Sequence, residues 1–447
     1  METTALNSNT GRVDILYNIT ENEIAFVDKI KIRGNIKTRD VVIRRELRIY
    51  PGDKFDGEKL RRTKERLYNL GFFDEDYGIN FVPEPSSSEE SNKKDLVVDL
   101  KESKTGAFSF GGGYSTVDQF VGFIEVEQKN FDWKNFPYFT GDGQDLRFRA
   151  SFGSVSSGFD LSFTEPWIFD YPISFGFDAY RRTHARDADA GYGYDQEVTG
   201  GDLRLGKEIT EYFRTDLTYR NDRIKITNIT ENASDDLKKE AGRNTISSLN
   251  PLLTYDSRDN VFNTRKGDLL SASFEYAGGL IGGTKDFWKF YGRASHFFPL
   301  FRNSVIELRA RVGLGDTYSD TEQIPIYERF FAGGASTIRG YEERAAGPVD
   351  PKSKDPLGGE SMLIGNIEYL YPLFSFLKVA AFYDIGNVWA KADEVGSGGF
   401  KSGIGLGVRV KTPIGPIMLD YGFPLNKAQG EEEKKGGRFH FSASHGF

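Results

Sequence analysis

Few side chains in this sequence could carry out bond chemistry. The 447 residues include no cysteine and only four histidines, which excludes a thiolate nucleophile, a disulfide and a cysteine-bound zinc ion. His184 lies near Asp187 and Asp189, as in an acid–base or metal-binding loop, but a polar hairpin tip explains this stretch better. There is no G-x-S-x-G motif, and no helix pattern follows the GIGLG of Gly403–Gly407 to hold a phosphate. We therefore predict no enzyme activity, no metal and no cofactor.

The composition limits the elements that could position functional residues. Hydrophobic residues make up 38% of the chain, mean hydropathy is -0.49, and no apolar run reaches 18 residues, which excludes a membrane-spanning helix. The net charge of -8 argues against a nucleic-acid partner. No apolar signal segment follows Met1, so the chain is either cytosolic or a processed or shortened piece.

The composition changes near residue 104, which predicts a domain boundary. Aromatic residues rise from about 9% before this point to about 16% after it, and glycine rises from about 6% to about 13%. The first part is predicted to have the element order β-α-α-β-β. A strand at Phe26–Arg33 precedes a helix capped by Thr38 and a second helix capped by Asp56 that ends near Gly71. Two strands follow, near 77–83 and 95–102.

A short internal similarity suggests an array of such domains. Residues 13–19 resemble the strand that ends the predicted domain at 96–102. We therefore expect residues 1–23 to be the remnant last strand of a preceding copy, followed by one complete domain at 24–104. The remainder, residues 105–447, is the third predicted region.

From Thr105 onward, apolar and polar residues alternate with a period of two. Asp145–Phe152 and Ile306–Leu314 are two of roughly sixteen such segments, each about ten residues long. A soluble sandwich also fits alternation, but a soluble sixteen-stranded barrel would need a second apolar layer to fill it. Aromatic strand ends such as Trp133 and Trp167 suit the interfaces of a membrane. We predict a mainly β protein, an antiparallel transmembrane barrel of about 16 strands preceded by the β-α-α-β-β domain.

Residues 318–360 have no clear strand pattern and form a segment far longer than an ordinary loop. They are either a disordered external loop or a loop folded back into the barrel lumen. Arg339 lies within this segment, and inside a barrel it would be stable only beside a carboxylate. Strand parity directs Glu368 and Asp384 towards the lumen.

Several motifs resemble the BamA family of outer-membrane assembly factors, and the similarity covers essentially the whole chain. RDVVIRREL at 39–47 and LRRTKERLYNLGFF at 60–73 are similar to the final POTRA domain of that family, with Ile32–Asn35 before them. The barrel part resembles the family at Gly106–Tyr114 (GAFSFGGGY), Ile338-Arg339-Gly340-Tyr341, Phe382–Gly386 and Phe447. Two-partner secretion transporters share the I/V-R-G-Y/F element.

The resemblance implies that the protein assembles and inserts β-barrel proteins into the outer membrane of a Gram-negative bacterium. Substrate strands would be templated where the first and last barrel strands meet, in a locally thinned bilayer and without nucleotide hydrolysis. The POTRA domain would lie in the periplasm. Implied partners are unfolded outer-membrane proteins, lipoproteins of the BAM complex and membrane lipids. The alternative is a polypeptide transporter of the two-partner secretion type, although residues 1–24 do not resemble its lumen-plugging helix.

The resemblance also implies two sites. The first is the loop motif Ile338, Arg339, Gly340 and Tyr341, in which Arg339 would pair with Glu368 and Asp384 and pin the loop; the alternative is a solvated loop arginine. The second is the seam between the first and last strands, formed by Gly111, Gly112, Gly113, Phe439, Phe441 and Phe447. Ser444 stands where family members often carry a glycine that kinks the last strand, so a loosened seam is less strongly implied for this chain.

Overall fold

The structure is a computed structural model that describes residues 2–7, 12–17, 23–74, 78–87, 90, 92–115, 119–186, 193–231, 233–260, 263–412, 415–427 and 436–443. The chain divides into two compact units. The first contains residues 1–105 and 129–143, and the second contains residues 106–128 and 144–447.

The first unit contains a three-stranded sheet and two helices in the predicted β-α-α-β-β order. The elements are β3 (Phe26–Arg33), α1 (Asp40–Arg44), α2 (Gly57–Asn69), β4 (Ile79–Pro85) and β5 (Lys93–Leu100). In the sheet β5 is central, parallel to β3 and antiparallel to β4, so that β3 and β4 form the two edges. Apolar residues of both helices and all three strands, including Val42, Leu67 and Leu96, pack into one buried core.

Of the two predicted helix caps, one is confirmed and the other is wrong. Asp56 caps α2 as predicted, since its side chain accepts hydrogen bonds from the backbone of Glu58 and Lys59. The predicted Thr38 cap is wrong, because α1 begins after Arg39 without a side-chain cap and ends at Arg44. The Thr38 backbone instead donates to the Glu102 carboxylate at 2.7 Å, a contact between residues far apart in the sequence.

At the start of the chain, β1 (Glu2–Asn7) and β2 (Arg12–Tyr17) form an antiparallel pair. β2 coincides with the single strand that the sequence predicts there, and β1 is additional. The assignment of this pair to a preceding domain copy remains a prediction.

The second unit contains a closed barrel in which every neighbouring pair of strands in the described registers is antiparallel. This confirms the predicted sixteen-stranded architecture. The strands are β6 (Gly106–Ser115), β7 (Gln119–Phe131), β8 (Gln144–Gly153), β9 (Ser156–Glu165), β10 (Ser174–His184), β11 (Asp195–Glu208), β12 (Phe213–Thr227), β13 (Gly242–Asp256), β14 (Gly267–Ala277), β15 (Phe287–Pro299), β16 (Val305–Thr317), β17 (Ser361–Phe374), β18 (Leu377–Trp389), β19 (Lys401–Thr412), β20 (Gly415–Pro424) and β21 (Arg438–Ala443).

The barrel wall has an apolar outer face and a polar inner face. On β19, for example, Ile404 and Leu406 are exposed on the outside, whereas Gly403 faces the inside. This arrangement places apolar side chains against lipid and polar ones in the lumen.

The remaining described elements lie in the connections. They are the helix α3 (Asp235–Lys239) and short 3-10 segments at Ile168–Asp170, Gly279–Ile281, Phe301–Asn303, Ile326–Glu328 and Ala392–Glu394. Among the helices of the described residues, none combines the length and apolar character needed to span a membrane.

Candidate functional site

The long segment between β16 and β17, residues 318–360, is folded against the inside of the barrel. Ile324 and Ile338 are fully buried although they belong to a connection. Ile338 packs in one apolar cluster with Met362 and Ile364 of the barrel wall. Of the two arrangements that the sequence leaves open, the structure therefore has the one in which the loop folds back into the lumen.

Glycines allow the tip of this loop to lie directly on the backbone of β19 and β20. Gly340 has φ +99°, a conformation that L side chains rarely adopt. A Cβ added at Gly403 would lie 2.0 Å from the Arg339 carbonyl oxygen, and one added at Gly422 would lie 2.6 Å from the Gly340 nitrogen. Close backbone approach thus accounts for glycines within the GIGLG stretch, which the sequence alone excludes as a phosphate loop.

Arg339 is buried in a ring of acceptors on the inner wall. Its Nε and Nη2 donate to the two carboxylate oxygens of Asp384, at 2.7 and 2.9 Å, and its Nη1 donates to Glu368 at 2.6 Å. The guanidinium carbon lies 3.4 Å from the centre of the Phe382 ring. The structure therefore brings Arg339 together with both of the carboxylates named from the sequence.

Two further residues, which the sequence analysis did not identify, complete this network. Asp420 accepts a hydrogen bond from Arg339 Nη1 at 3.3 Å. Arg409 donates to Glu368 at 3.0 Å and to Asp420 at 2.5 Å. The arrangement contains two guanidinium groups and three carboxylates, so each charge depends on the others for compensation. We call these five residues, Arg339, Glu368, Asp384, Arg409 and Asp420, the lumen network.

Tyr341 fixes the other side of the motif. It is buried, and its hydroxyl lies 3.1 Å from the carbonyl of Ser402 and 2.9 Å from the carbonyl of Asn426. Ile338, Arg339, Gly340 and Tyr341 thus each contact the wall in a different way. Together they hold the tip of the loop through apolar packing, ion pairs, close backbone approach and hydrogen bonds.

A second group of charges holds the beginning of the same loop. Glu328 pairs with Arg220 of β12 at 3.1 Å and with Lys289 of β15. Glu275 of β14 pairs with the same two cations, at 2.6 and 3.3 Å. We call these four residues the second clamp. It attaches the loop to the wall away from the lumen network.

Replacing Glu328 with glutamine is expected to release this end of the loop. The variant leaves Lys289 with Glu275 and Arg220 with Glu275 and Asp222, a loss of about 1–3 kcal/mol for a buried acceptor. Protease cleavage within residues 318–360 of the reconstituted protein should become roughly ten-fold faster, because cleavage follows the population of the opened loop. Glu322 lies in the same loop, and Glu322→Gln, which removes an exposed ion pair with Lys239 of α3, is the matched control. Equal cleavage rates for both variants would show that the second clamp does not hold the loop.

The seam between β21 and β6 is short over the described residues. Two facing pairs join these strands, Ser442 with Ser115 and Ala443 with Tyr114. By comparison, β6 and β7 share ten facing pairs, and β20 and β21 share six. Along Gly106–Gly113, the described part of β21 makes no ladder with β6, and this stretch contains the predicted glycines Gly111, Gly112 and Gly113.

Aromatic side chains surround this seam on the outer face. Phe439 is exposed and packs beside Tyr421, with ring centres 4.4 Å apart. Phe441 contacts Tyr114 across the seam, with ring centres 5.9 Å apart. Of the remaining seam predictions, Phe447 and the departure at Ser444 lie outside the described residues.

Comparison with known proteins identifies relatives of both units. Residues 139–447 match the Omp85 superfamily domain, and residues 25–103 match a POTRA domain described as a surface antigen variable number repeat. The chain is 33% identical to the outer membrane protein assembly factor BamA of Nitratidesulfovibrio vulgaris over 96% of its own length and 52% of that protein. It spans about half the length of the curated BamA relatives that it matches.

Solved structures of similar fold include those of BamA and CdiB. BamA from Haemophilus ducreyi lacking POTRA domains 1–3 has a TM-score of 0.75 and 21% identity, covering 99% of this chain and 88% of that one. CdiB from Acinetobacter baumannii has a TM-score of 0.57 and 16% identity, covering 99% of this chain and 77% of that one. At these identities, the likeness concerns the fold.

Proposed function

This chain belongs to the BamA family within the Omp85 superfamily of outer-membrane proteins, and we propose that it assembles and inserts β-barrel proteins into that membrane. The observation that carries the proposal is the seam. Over the described residues, β21 pairs with β6 at two positions, and a strand edge that faces lipid without a partner offers backbone donors and acceptors to an incoming strand. The curated relatives named as assembly factors support the same activity.

In this mechanism the seam acts as a template. A substrate strand pairs with the edge of β6 along Gly106–Gly113, where the described residues of β21 make no ladder. Pairing satisfies the backbone of the substrate strand as it enters the hydrocarbon, where each unpaired polar group costs several kcal/mol. Glycines in this stretch support weak closure, since they contribute no side-chain packing to the strand pair.

Strand length supports local thinning of the bilayer beside the seam. β6 and β20 each have 10 residues, whereas β12 and β13 have 15 each. At roughly 3.3 Å per residue, β6 and β20 are shorter than β12 and β13, whereas β7, which pairs with β6, has 13 residues. A short wall favours a thin bilayer through hydrophobic mismatch, which lowers the barrier that a substrate strand has to cross.

The process needs no nucleotide hydrolysis, because folding into the membrane is itself downhill once the backbone is paired. The protein then lowers the barrier to insertion and carries out no bond chemistry. The assembly-factor relatives favour this non-catalytic role.

The POTRA domain is proposed to lie in the periplasm and to receive partners there. The sheet edges β3 and β4 suit the addition of an extended peptide as a further strand. The proposed partners are unfolded outer-membrane proteins, lipoproteins of the assembly complex and, around the barrel, membrane lipids.

Polypeptide transport of the two-partner secretion type is the second candidate, and the fold shared with CdiB favours it. Transport would require substrate to pass through the lumen. The lumen network and the second clamp both hold the long loop inside that space. The geometry therefore favours assembly at the seam.

A reconstitution experiment separates these two functions. An unfolded small outer-membrane protein is folded into liposomes with and without this chain, and ion conductance is recorded in the same liposomes. Assembly predicts faster folding with little conductance, because the loop occupies the lumen. Unchanged folding together with substantial conductance would instead favour the transport function.

A further inference from the structure

The last barrel strand contacts the loop motif directly. His440 of β21 is buried, and its Nε2 accepts a hydrogen bond from the backbone N–H of Gly340 at 3.1 Å. Two residues earlier on the same strand, Arg438 pairs with Glu342 of the loop. Both contacts join the strand that forms one side of the seam to the long loop inside the barrel.

The Gly340 N–H is a fixed donor. Its position is set by the close approach of Gly340 to Gly422 and by the neighbouring Arg339, whose backbone N–H and side chain both bind Asp384. A buried backbone N–H requires an acceptor, and the side chain of His440 supplies it. Nε2 accepts only when it carries no proton, so the contact selects one form of the imidazole ring.

The rest of the inner surface beside β21 is loosely packed. A cavity of about 280 Å³ lies between the loop and the wall, and its lining includes His440, Thr337 and Met418. With open space beside it, the last strand depends on a small number of specific contacts to stay against the loop. Among these contacts, His440 is the buried one and Arg438 is partly exposed.

We propose that His440 and Arg438 form a latch that couples the position of the long loop to the closure of the seam. The lumen network holds the loop to β17, β18 and β20, and the latch extends this hold to β21. Outward movement of β21 then requires both latch contacts to break. The inference rests on the proposed function, because it concerns regulation of the same seam.

Distances across the seam, measured by paired spin labels on the full reconstituted chain without substrate, test this latch. The chain has no native cysteine, so cysteines placed at Tyr114 and Phe441, whose rings lie 5.9 Å apart across the seam, would be the only label sites. We expect one short distance in the parent protein. In His440→Ala the fraction at longer distance should rise at least three-fold, whereas His440→Gln should match the parent because its amide oxygen can accept the same hydrogen bond.

Two further measurements keep the test decisive. Glu342→Gln removes the negative charge of the second contact and leaves at most a weaker hydrogen bond to Arg438. Because position 342 is a partly exposed loop position, misfolding of the barrel wall is not expected, and the distance should also lengthen. Labels at Leu203 and Tyr219, which face each other on β11 and β12, should remain unchanged in every variant. Unchanged seam distances in both His440→Ala and Glu342→Gln would overturn the latch, as would a His440→Gln variant that opens like His440→Ala.

The insertion assay separates failure of the latch from failure of the proposed function. If the variants open the seam while a protein with its seam locked by a disulfide between cysteines at Tyr114 and Ala443 still inserts substrate, the latch stands and assembly at the seam is wrong. If insertion requires the seam but the distances do not respond to the variants, the latch is wrong and the proposed function stands.

Discussion

Replacing Arg339 with alanine is expected to slow assembly of a substrate barrel roughly ten-fold or more. The variant leaves Arg409 as the one guanidinium in the lumen network among three carboxylates. Removing one partner from a buried ion pair typically costs about 3–5 kcal/mol, because the remaining charges lose their compensation. The loop tip should therefore leave the wall. The folding rate of a small outer-membrane protein in liposomes that contain the variant measures this effect.

Two control variants test whether slower assembly in Arg339→Ala comes from loss of the lumen network. Lys352→Ala removes an exposed cation from the same loop and should keep the parent rate. The double variant Arg339→Gln/Asp384→Asn loses one positive and one negative charge together. The barrel should therefore be more stable than in Arg339→Ala, although the ion pair is still absent. An Arg339→Ala protein that assembles substrate at the parent rate would show that the lumen network is not needed for activity.

Closing the seam with a disulfide is expected to reduce assembly to the rate seen without the protein. Tyr114 and Ala443 face each other across the seam, and cysteines at these positions would be the only thiols in the chain. The crosslink blocks the edge that the substrate strand needs, so insertion should stop under oxidising conditions and return after reduction. The assay is the same liposome folding rate before and after addition of a reductant.

A disulfide elsewhere in the wall serves as the control. Leu203 and Tyr219 face each other on β11 and β12, and a crosslink there should leave the rate unchanged. If the seam-locked protein remains fully active while oxidised, the substrate does not enter between β21 and β6.

Alternation in the sequence is enough to predict the sixteen strands of the barrel. An outer face against lipid and an inner face against water impose a strict period of two on each strand, so local sequence carries the signal. The helices of the first unit are harder to predict. Thr38 resembles a helix cap, but its backbone N–H is bound by Glu102, and a tertiary contact of that kind leaves no local pattern.

The candidate site is predictable only in part, for a related reason. Strand parity predicts that Glu368 and Asp384 face the lumen, and the loop motif identifies Arg339 as a candidate site residue. Asp420 and His440 lie on strands that are distant in sequence from the loop, and their contacts depend on which wall the loop tip meets. Parity alone places His440 opposite Phe439 and Phe441, but it does not name its partner.

The most direct test of the central claim is to find where a substrate strand contacts the barrel during assembly. Single cysteines would be placed at Phe110 on the outer face of β6 and, as a matched pair on β13, at the outward-facing Leu253 and the lumen-facing Thr254. A substrate with one cysteine in its last strand is then crosslinked while it folds. Assembly at the seam predicts adducts at residue 110 and none at 253 or 254. Adducts at residue 254 that form at least as fast as those at 110 would contradict it, since they would place the substrate in the lumen.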